Sequence, residues 1–431
     1  MADKRQAIIL IDGIGEQQPM QNLRAFVETA WARNPGAKHD FAKAGSWSHP
    51  DDVSGGFELR RIATSRNKDD VLSDFYEFYW AHMMSGNELG HVWDWALTLL
   101  RRNPFGLSAT LRLAWFVLVG AAIIDGALAV NGAMGSNGFL PMPSWVSLVL
   151  AVAVWPALSG ILRTFVGDAA RYLRPAPGNI DVRHRIREAG VKLLDALHER
   201  GYDRIVIVGH SLGSVIGYDL LRHGWARRYQ QYGVDPKLQE EAAVELEGLA
   251  YAEPFDAVAY RAGQARYAES LAAAGLAWKV TDFVTLGSPL THADVLLATD
   301  ASELTLRQAE RELPTCPPAL EMRGERPASF RYHKRFPPLP GRKNGRWHDV
   351  PHHAALFAPV RWTNLYFPTR GLLWGDPVGG PVAPLFGGGV LDVAVRTSRN
   401  GGRLSHTEYW NAESDTVPGS HVEALWAALD L

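Results

Sequence analysis

The run Ile205-Val-Ile-Val-Gly-His-Ser-Leu-Gly-Ser-Val-Ile-Gly217 sets a serine between two glycines, with four β-branched residues before it and a second apolar run after it. A serine hydroxyl becomes a nucleophile once a neighbouring base takes its proton. The residue types call for a buried parallel strand that reverses within a few residues and enters a helix. Gly209 and Gly213 let strand and helix approach closely. Gly-x-Ser-x-Gly at such a reversal holds its serine in a tight, strained turn with the hydroxyl exposed above the sheet. Ser211 is therefore the candidate nucleophile, in an elbow formed with Gly209, His210 and Gly213. The N–H of Leu212, the next residue, is a candidate donor to a developing oxyanion.

The elements that must position Ser211 lie close by. Val182 to Arg200 reads as an amphipathic helix ending before Gly201, Arg204 to Val208 as the strand, and Val215, Ile216, Leu220 and Leu221 as the apolar face of the following helix. Helix, strand, turn and helix in that order are the units of a doubly wound sheet. Gln6 to Gln17 opens the chain with another buried strand, and Asp12-Gly13 ends it; a plain turn is the alternative reading there.

The 431 residues suffice for one large domain with insertions or for two. Forty-four basic against forty-six acidic side chains give no case for nucleic-acid binding. The single cysteine, Cys316, excludes an internal disulfide and points to a reducing compartment. The amino terminus reads as lacking a secretory signal. No internal repeat is apparent.

Together, the elbow at Gly209–Gly213 and the strand leading to Gly13-Ile-Gly15 resemble the α/β-hydrolases. The nearest kind is the lipase and esterase branch that holds triacylglycerol lipases and GPI inositol-deacylase-like proteins. The resemblance implies a single α/β domain over 1–431, a doubly wound and mostly parallel sheet, and ester hydrolysis without cofactor or metal. It also implies that Ile14 lends a main-chain N–H to the oxyanion hole. Asp12 stands where that family usually has histidine. A carboxylate facing the oxyanion would repel it, so the Asp12 side chain must point away or be paired.

In this fold the acid and the histidine follow the serine on loops after late strands. The strand candidates are Val280–Leu286, Trp362–Phe367 and Gly389–Val395. The second leads to Asp376 in a Gly/Pro-rich loop and the third to His406 in a polar loop. Asn364, Tyr366, Tyr409 and Trp410 reproduce the family surroundings of these two loops. The resemblance thus implies Asp376 as orienting acid and His406 as base. Asp294 remains a rival acid and His421 a rival base, although Ser420 looks like a helix cap that makes His421 a first-turn residue. Asp392 reads as structural, and Gly287–Leu290 resembles a segment that lines the site without doing chemistry. His348, His352 and His353 invite a metal reading, but Pro351 disfavours the regular helix it needs.

Two apolar stretches interrupt the globular pattern. Leu113–Val130 carries a single charge, Asp125, and Ser144–Leu162 carries none. As helices each would reach about 27 to 29 Å, close to a hydrocarbon thickness of about 30 Å. They predict a helical hairpin over 107–165 that crosses the membrane and returns; a buried or monotopic helical pair, such as a lid, is the competing reading, and Asp125 and Pro156 weaken the spanning one. Arg101, Arg102 and Arg112 before it, and Arg163, Arg171 and Arg174 after it, place both ends in the cytoplasm. Trp93 and Trp95 suit a helix at headgroup level or ordinary packing. Between Arg323 and Arg346 stand eight Lys or Arg and one acid, Glu325, a loop that suits an anionic surface. The Ala/Glu-rich stretch within 228–275 reads as a helical cap. The expectation is a membrane-associated serine hydrolase acting on a lipid or other acyl ester. A non-catalytic membrane-tethered protein, and a thioesterase or peptidase with the same residues, are the alternatives.

Overall fold

The computed structural model describes residues 4–13, 18–35, 45–54, 58–84, 100, 103–106, 109–138, 140–152, 172, 177–323, 326–338, 344–369, 374–397, 402, 405–411 and 419–431. The strands are β1 (Lys4–Ile11), β2 (Ser46–Pro50), β3 (Arg60–Arg66), β4 (Val71–Glu77), β5 (Arg204–His210), β6 (Val280–Leu286), β7 (Glu321–Arg323), β8 (Arg326–Ser329), β9 (Arg331–Phe336), β10 (Arg346–Pro351), β11 (Arg361–Tyr366) and β12 (Leu391–Ala394). Eight form one sheet in the order β12-β11-β6-β5-β1-β4-β3-β2. All neighbours from β12 to β4 run parallel, and β3 and β2 extend the sheet antiparallel. β7–β8 and β9–β10 are separate hairpins.

Side-chain alternation shows why both faces are covered. On β1 and β5, Ala7, Ile9, Ile11, Ile205 and Ile207 enter one apolar core, while Ile8, Leu10, Val206 and Val208 enter another. Successive strand residues point to opposite faces, so a continuous β-branched run serves two cores at once. The first core takes Ile186, Leu194 and Leu197 of α3 (Pro177–Glu199) and Val215, Ile216 and Leu221 of α4 (Leu212–Arg228). The second takes Leu23 and Phe26 of α1 (Gln21–Val27), and Leu425 and Leu429 of the last helix, His421–Leu429. The chain is thus α/β, with a mostly parallel sheet between helical layers.

The expected late strands appear with shifted edges: Arg361–Tyr366 for the second and Leu391–Ala394 for the third. The stretch read as a cap forms α5 (Glu240–Ala250) and α6 (Ala257–Ala273). α6 packs on the flank of the sheet, where Arg261 donates to the Trp362 carbonyl (2.9 Å) and Gln264 to the Val360 carbonyl (2.9 Å).

α2 (Ala109–Ala133) runs unbroken through Asp125 and Gly126. Residues 144–152 are helical too, and meet its end: Asn131 donates to Ser147 Oγ (2.8 Å), and a Cβ on Gly132 would lie 2.4 Å from Leu148 Cγ. Only a glycine permits that approach. Residues 153–162, with Pro156, lie outside the described residues, as do Trp93, Trp95, Arg101, Arg102, Arg163, Arg171, Arg174 and Glu325.

Candidate active site

β1 and β5 are neighbours whose carboxyl ends lie level, Ile11 opposite Gly209. Beyond them the chain turns at Asp12-Gly13 and at Ser211. Ser211 has φ 51° and ψ −127°, in the left-handed half of the map where a side chain is strained. The glycines around it are fixed by contact. A Cβ on Gly213 would stand 2.0 Å from the Ile11 carbonyl oxygen, and one on Gly209 2.5 Å from Ser214 Cα. A Cβ on Gly13 would stand 2.6 Å from Ser211 Cβ, so the β1 turn is pressed against the serine. The Ser211 N–H donates to the Leu286 carbonyl (2.9 Å), and Ser214 Oγ donates back to the Ser211 carbonyl (2.6 Å).

The loops after β11 and β12 bring two more side chains to this corner. His406 Nε2 lies 2.9 Å from Ser211 Oγ, and its Nδ1 2.9 Å from Asp376 Oδ1. Asp376 is fully buried; burial pushes its carboxyl up, but the His406 charge and hydrogen bond, with further bonds from Tyr409 and Gly379, hold it down at about 2. Val378 N–H donates to its Oδ1 (2.8 Å) and Tyr409 Oη to its Oδ2 (2.7 Å). An ionised acceptor at Nδ1 places the ring proton there, leaving Nε2 to accept from the serine hydroxyl. Gly287, at φ 57°, and Gly379 crowd the same carboxylate: a Cβ on either would come within 2.7 Å of Oδ2. The segment from Gly287 to Leu290 therefore lines the corner as a backbone wall.

The rival residues sit elsewhere. His406 Nδ1 is met by Asp376 and not by Asp294, which lies in the short helix Ala293–Leu296. His421 is turned to main-chain oxygens, those of Arg396 (3.2 Å) and Asn411 (3.0 Å), and Ser420 caps its helix by accepting from Glu423 N–H (3.2 Å). Asp392 accepts from Asn364 (2.7 Å) and from the Val382 and Ala383 N–H groups (2.9 Å each), a structural role. His348 lies on β10 beside Asp235 and Glu240, and His352 beside the Ala319 carbonyl; among the described residues no group of His, Cys, Asp and Glu could hold a metal ion. In the basic stretch, Arg331 is held by Glu247 (2.8 Å) and Arg346 by Asp235.

Asp12 is paired. Its Oδ1 accepts from Gly13 N–H (2.7 Å) and lies 3.0 Å from His210 Nδ1, and its Oδ2 accepts from Asn22. His210 Nε2 lies 2.8 Å from the His406 carbonyl oxygen. Both His210 nitrogens thus face oxygen acceptors, a carboxylate and a carbonyl, an arrangement that favours the charged ring. Burial opposes that charge, yet Asp12 raises His210 above its ordinary value. The sequence did not reveal this link. Its only signal was the acidic residue at the end of β1 together with a histidine beside the nucleophile. Leu212, at the first position of α4, has no helical acceptor for its N–H; Ile14 lies outside the described residues.

In comparison with known proteins, no family model, curated protein or solved structure matches the chain.

Proposed function

We propose that the protein is a serine ester hydrolase of the α/β-hydrolase kind. The observation that carries this reading is the chain Ser211–His406–Asp376, with both links at 2.9 Å and the serine on a strained turn. Ser211 Oγ attacks the acyl carbon while His406 Nε2 takes its proton. The carbonyl oxygen becomes an oxyanion that the Leu212 N–H stabilises. His406 then protonates the departing alcohol, leaving an acyl-serine. Water, deprotonated by the same histidine, attacks that ester, and the proton returns to Ser211 as the acid leaves. Asp376 keeps the imidazole in the required tautomer and offsets its charge.

A lipid or other apolar acyl ester is the substrate class this reading favours, because of the apolar helices. The window Trp115–Ala133 has a mean hydropathy of 1.8 with 22% of it buried. Phe116, Ile123, Ile124, Val130, Trp145 and Val152 are all exposed. Uncovered apolar surface on this scale calls for lipid or a partner. We read α2 and the helix that begins at 144 as a membrane hairpin inserted in the hydrolase domain, with that domain on the cytoplasmic face. The test is to incubate the purified chain with a total lipid extract and identify what is consumed. One class of acyl ester should disappear, releasing free acid, and persist with Ser211→Ala. An extract unchanged by the wild-type protein would remove the lipid substrate from the proposal.

A further inference from the structure

Away from the Ser211 corner, α3 and α4 enclose a cleft of about 520 Å³, lined by Arg183, His184, Arg187, Glu188, His223 and Arg227 with apolar neighbours. Charge there does not balance. Asp219 alone accepts from Arg187 Nε (2.9 Å), Arg222 (3.1 Å) and the Tyr172 hydroxyl (2.9 Å). Asp195 serves both Arg227 (3.1 Å) and Arg228 (2.8 Å), and Glu188 faces Lys192 (2.8 Å) and His184 (3.7 Å). Arg183 is left over. Among the described residues it has no carboxylate partner, its Nε is buried without an acceptor, and its guanidinium lies 5.9 Å from the Tyr172 ring centre. Burial and the neighbouring Arg187 charge pull Arg183 below its usual value, and the more distant Asp219 charge offsets them only in part.

A partly desolvated guanidinium is costly until an anion meets it. We propose that this cleft is an anion site for a phosphate-bearing ligand, held by Arg183 with Arg187 and Arg227 from the two helices. Phosphate suits it better than a carboxylate: guanidinium groups line the cleft from both helices, and an acceptor with oxygens on more than one side can meet more than one of them. The shared chemistry is a phosphate monoester, as a lipid headgroup or on a small soluble molecule. The proposal is independent of the hydrolase reading.

The experiment uses the full chain in a non-ionic detergent, titrated with inorganic phosphate at ionic strength held constant with chloride. The His223 ring resonances report binding. A saturable shift is expected in the wild type, weakened about tenfold or more in Arg183→Gln, the scale of one lost charge-assisted bond. Arg183→Lys should recover part of it. Unchanged unfolding temperatures and unchanged Ser211 labelling by a fluorophosphonate would show that both variants are folded and separate this site from the catalytic one. Tighter binding of short-chain phosphatidic acid than of glycerol phosphate assigns a lipid headgroup; equal binding assigns a soluble phosphate ester. No saturable shift in the wild type, or the same shift in Arg183→Gln, overturns the proposal.

Discussion

Asp282 and Asp376 lie at opposite ends of the sheet, and both are buried carboxylates held ionised against the cost of burial. Asp282, at the amino ends of the central strands, is clamped by Arg204 and Arg361 (2.8 Å each), and Arg204 reaches on to the carbonyls of Leu429 and Asp430. Its partners carry permanent charge and have nothing to exchange. Asp376, at the carboxyl ends, is held by a histidine, a tyrosine hydroxyl and backbone N–H groups. Its main counter-charge appears only when His406 takes a proton. Burying a carboxylate is common to both; what separates a clamp from a relay is whether the partner's charge can come and go.

Substitutions should split along that difference. The largest effect belongs to Ser211→Ala and His406→Ala, each expected to lower kcat by about ten-thousandfold or more, leaving what the oxyanion donors and binding supply. Normal turnover in His406→Ala with loss in His421→Ala would move the base. Asp376→Asn should cost a comparable factor in kcat. Asp282→Asn should leave kcat nearly unchanged yet lower stability by about 2 kcal/mol, because two half-buried guanidinium groups lose their ionised partner. If Asp282→Asn slowed turnover as much as Asp376→Asn, the distinction drawn between the two ends would fail.

The pH dependence of stability sharpens the comparison. The Asp376 carboxyl is depressed in the folded state, so its contribution is present above the unfolded value of 3.8 and is lost as pH falls through about 2. It amounts to about 2 kcal/mol. Denaturation of wild type and Asp376→Asn should therefore converge between pH 4 and about 2; a constant gap would contradict the assignment. His210 has the opposite sign. Its value is raised, so its contribution is full below 6.5 and fades as pH rises through the folded value.

A smaller effect is expected at the Asp12–His210 pair, which touches no substrate in this account. Asp12→Asn or His210→Asn should lower kcat by about 10- to 100-fold with little change in KM, because the His406 loop loses one of its anchors. The alkaline limb of the rate profile should shift as well. A variant with a raised KM and normal kcat would show that the pair shapes binding instead.

Much of this was legible in the sequence. The β-branched run through Val208 and the glycines at 209 and 213 announce the strand and turn, because a Cβ on Gly209 or Gly213 would stand only 2.5 or 2.0 Å from a backbone atom. Asp376 and His406 were reachable through the resemblance and their position after late strands. What was not legible depends on contacts between distant residues. The Asp12–His210–His406 link joins three parts of the chain, and no local pattern marks it. β2, an exposed polar edge strand, and the β9–β10 hairpin lack the alternation that would have announced them.

The central claim is that Ser211 is an activated nucleophile. The direct measurement is to treat the folded protein with a fluorophosphonate probe and locate the adduct by mass spectrometry of its peptides. The account predicts one adduct, on Ser211 Oγ, absent in Ser211→Ala and strongly slowed in His406→Ala. A wild-type chain that stays unlabelled, or one labelled equally well without Ser211, would contradict it.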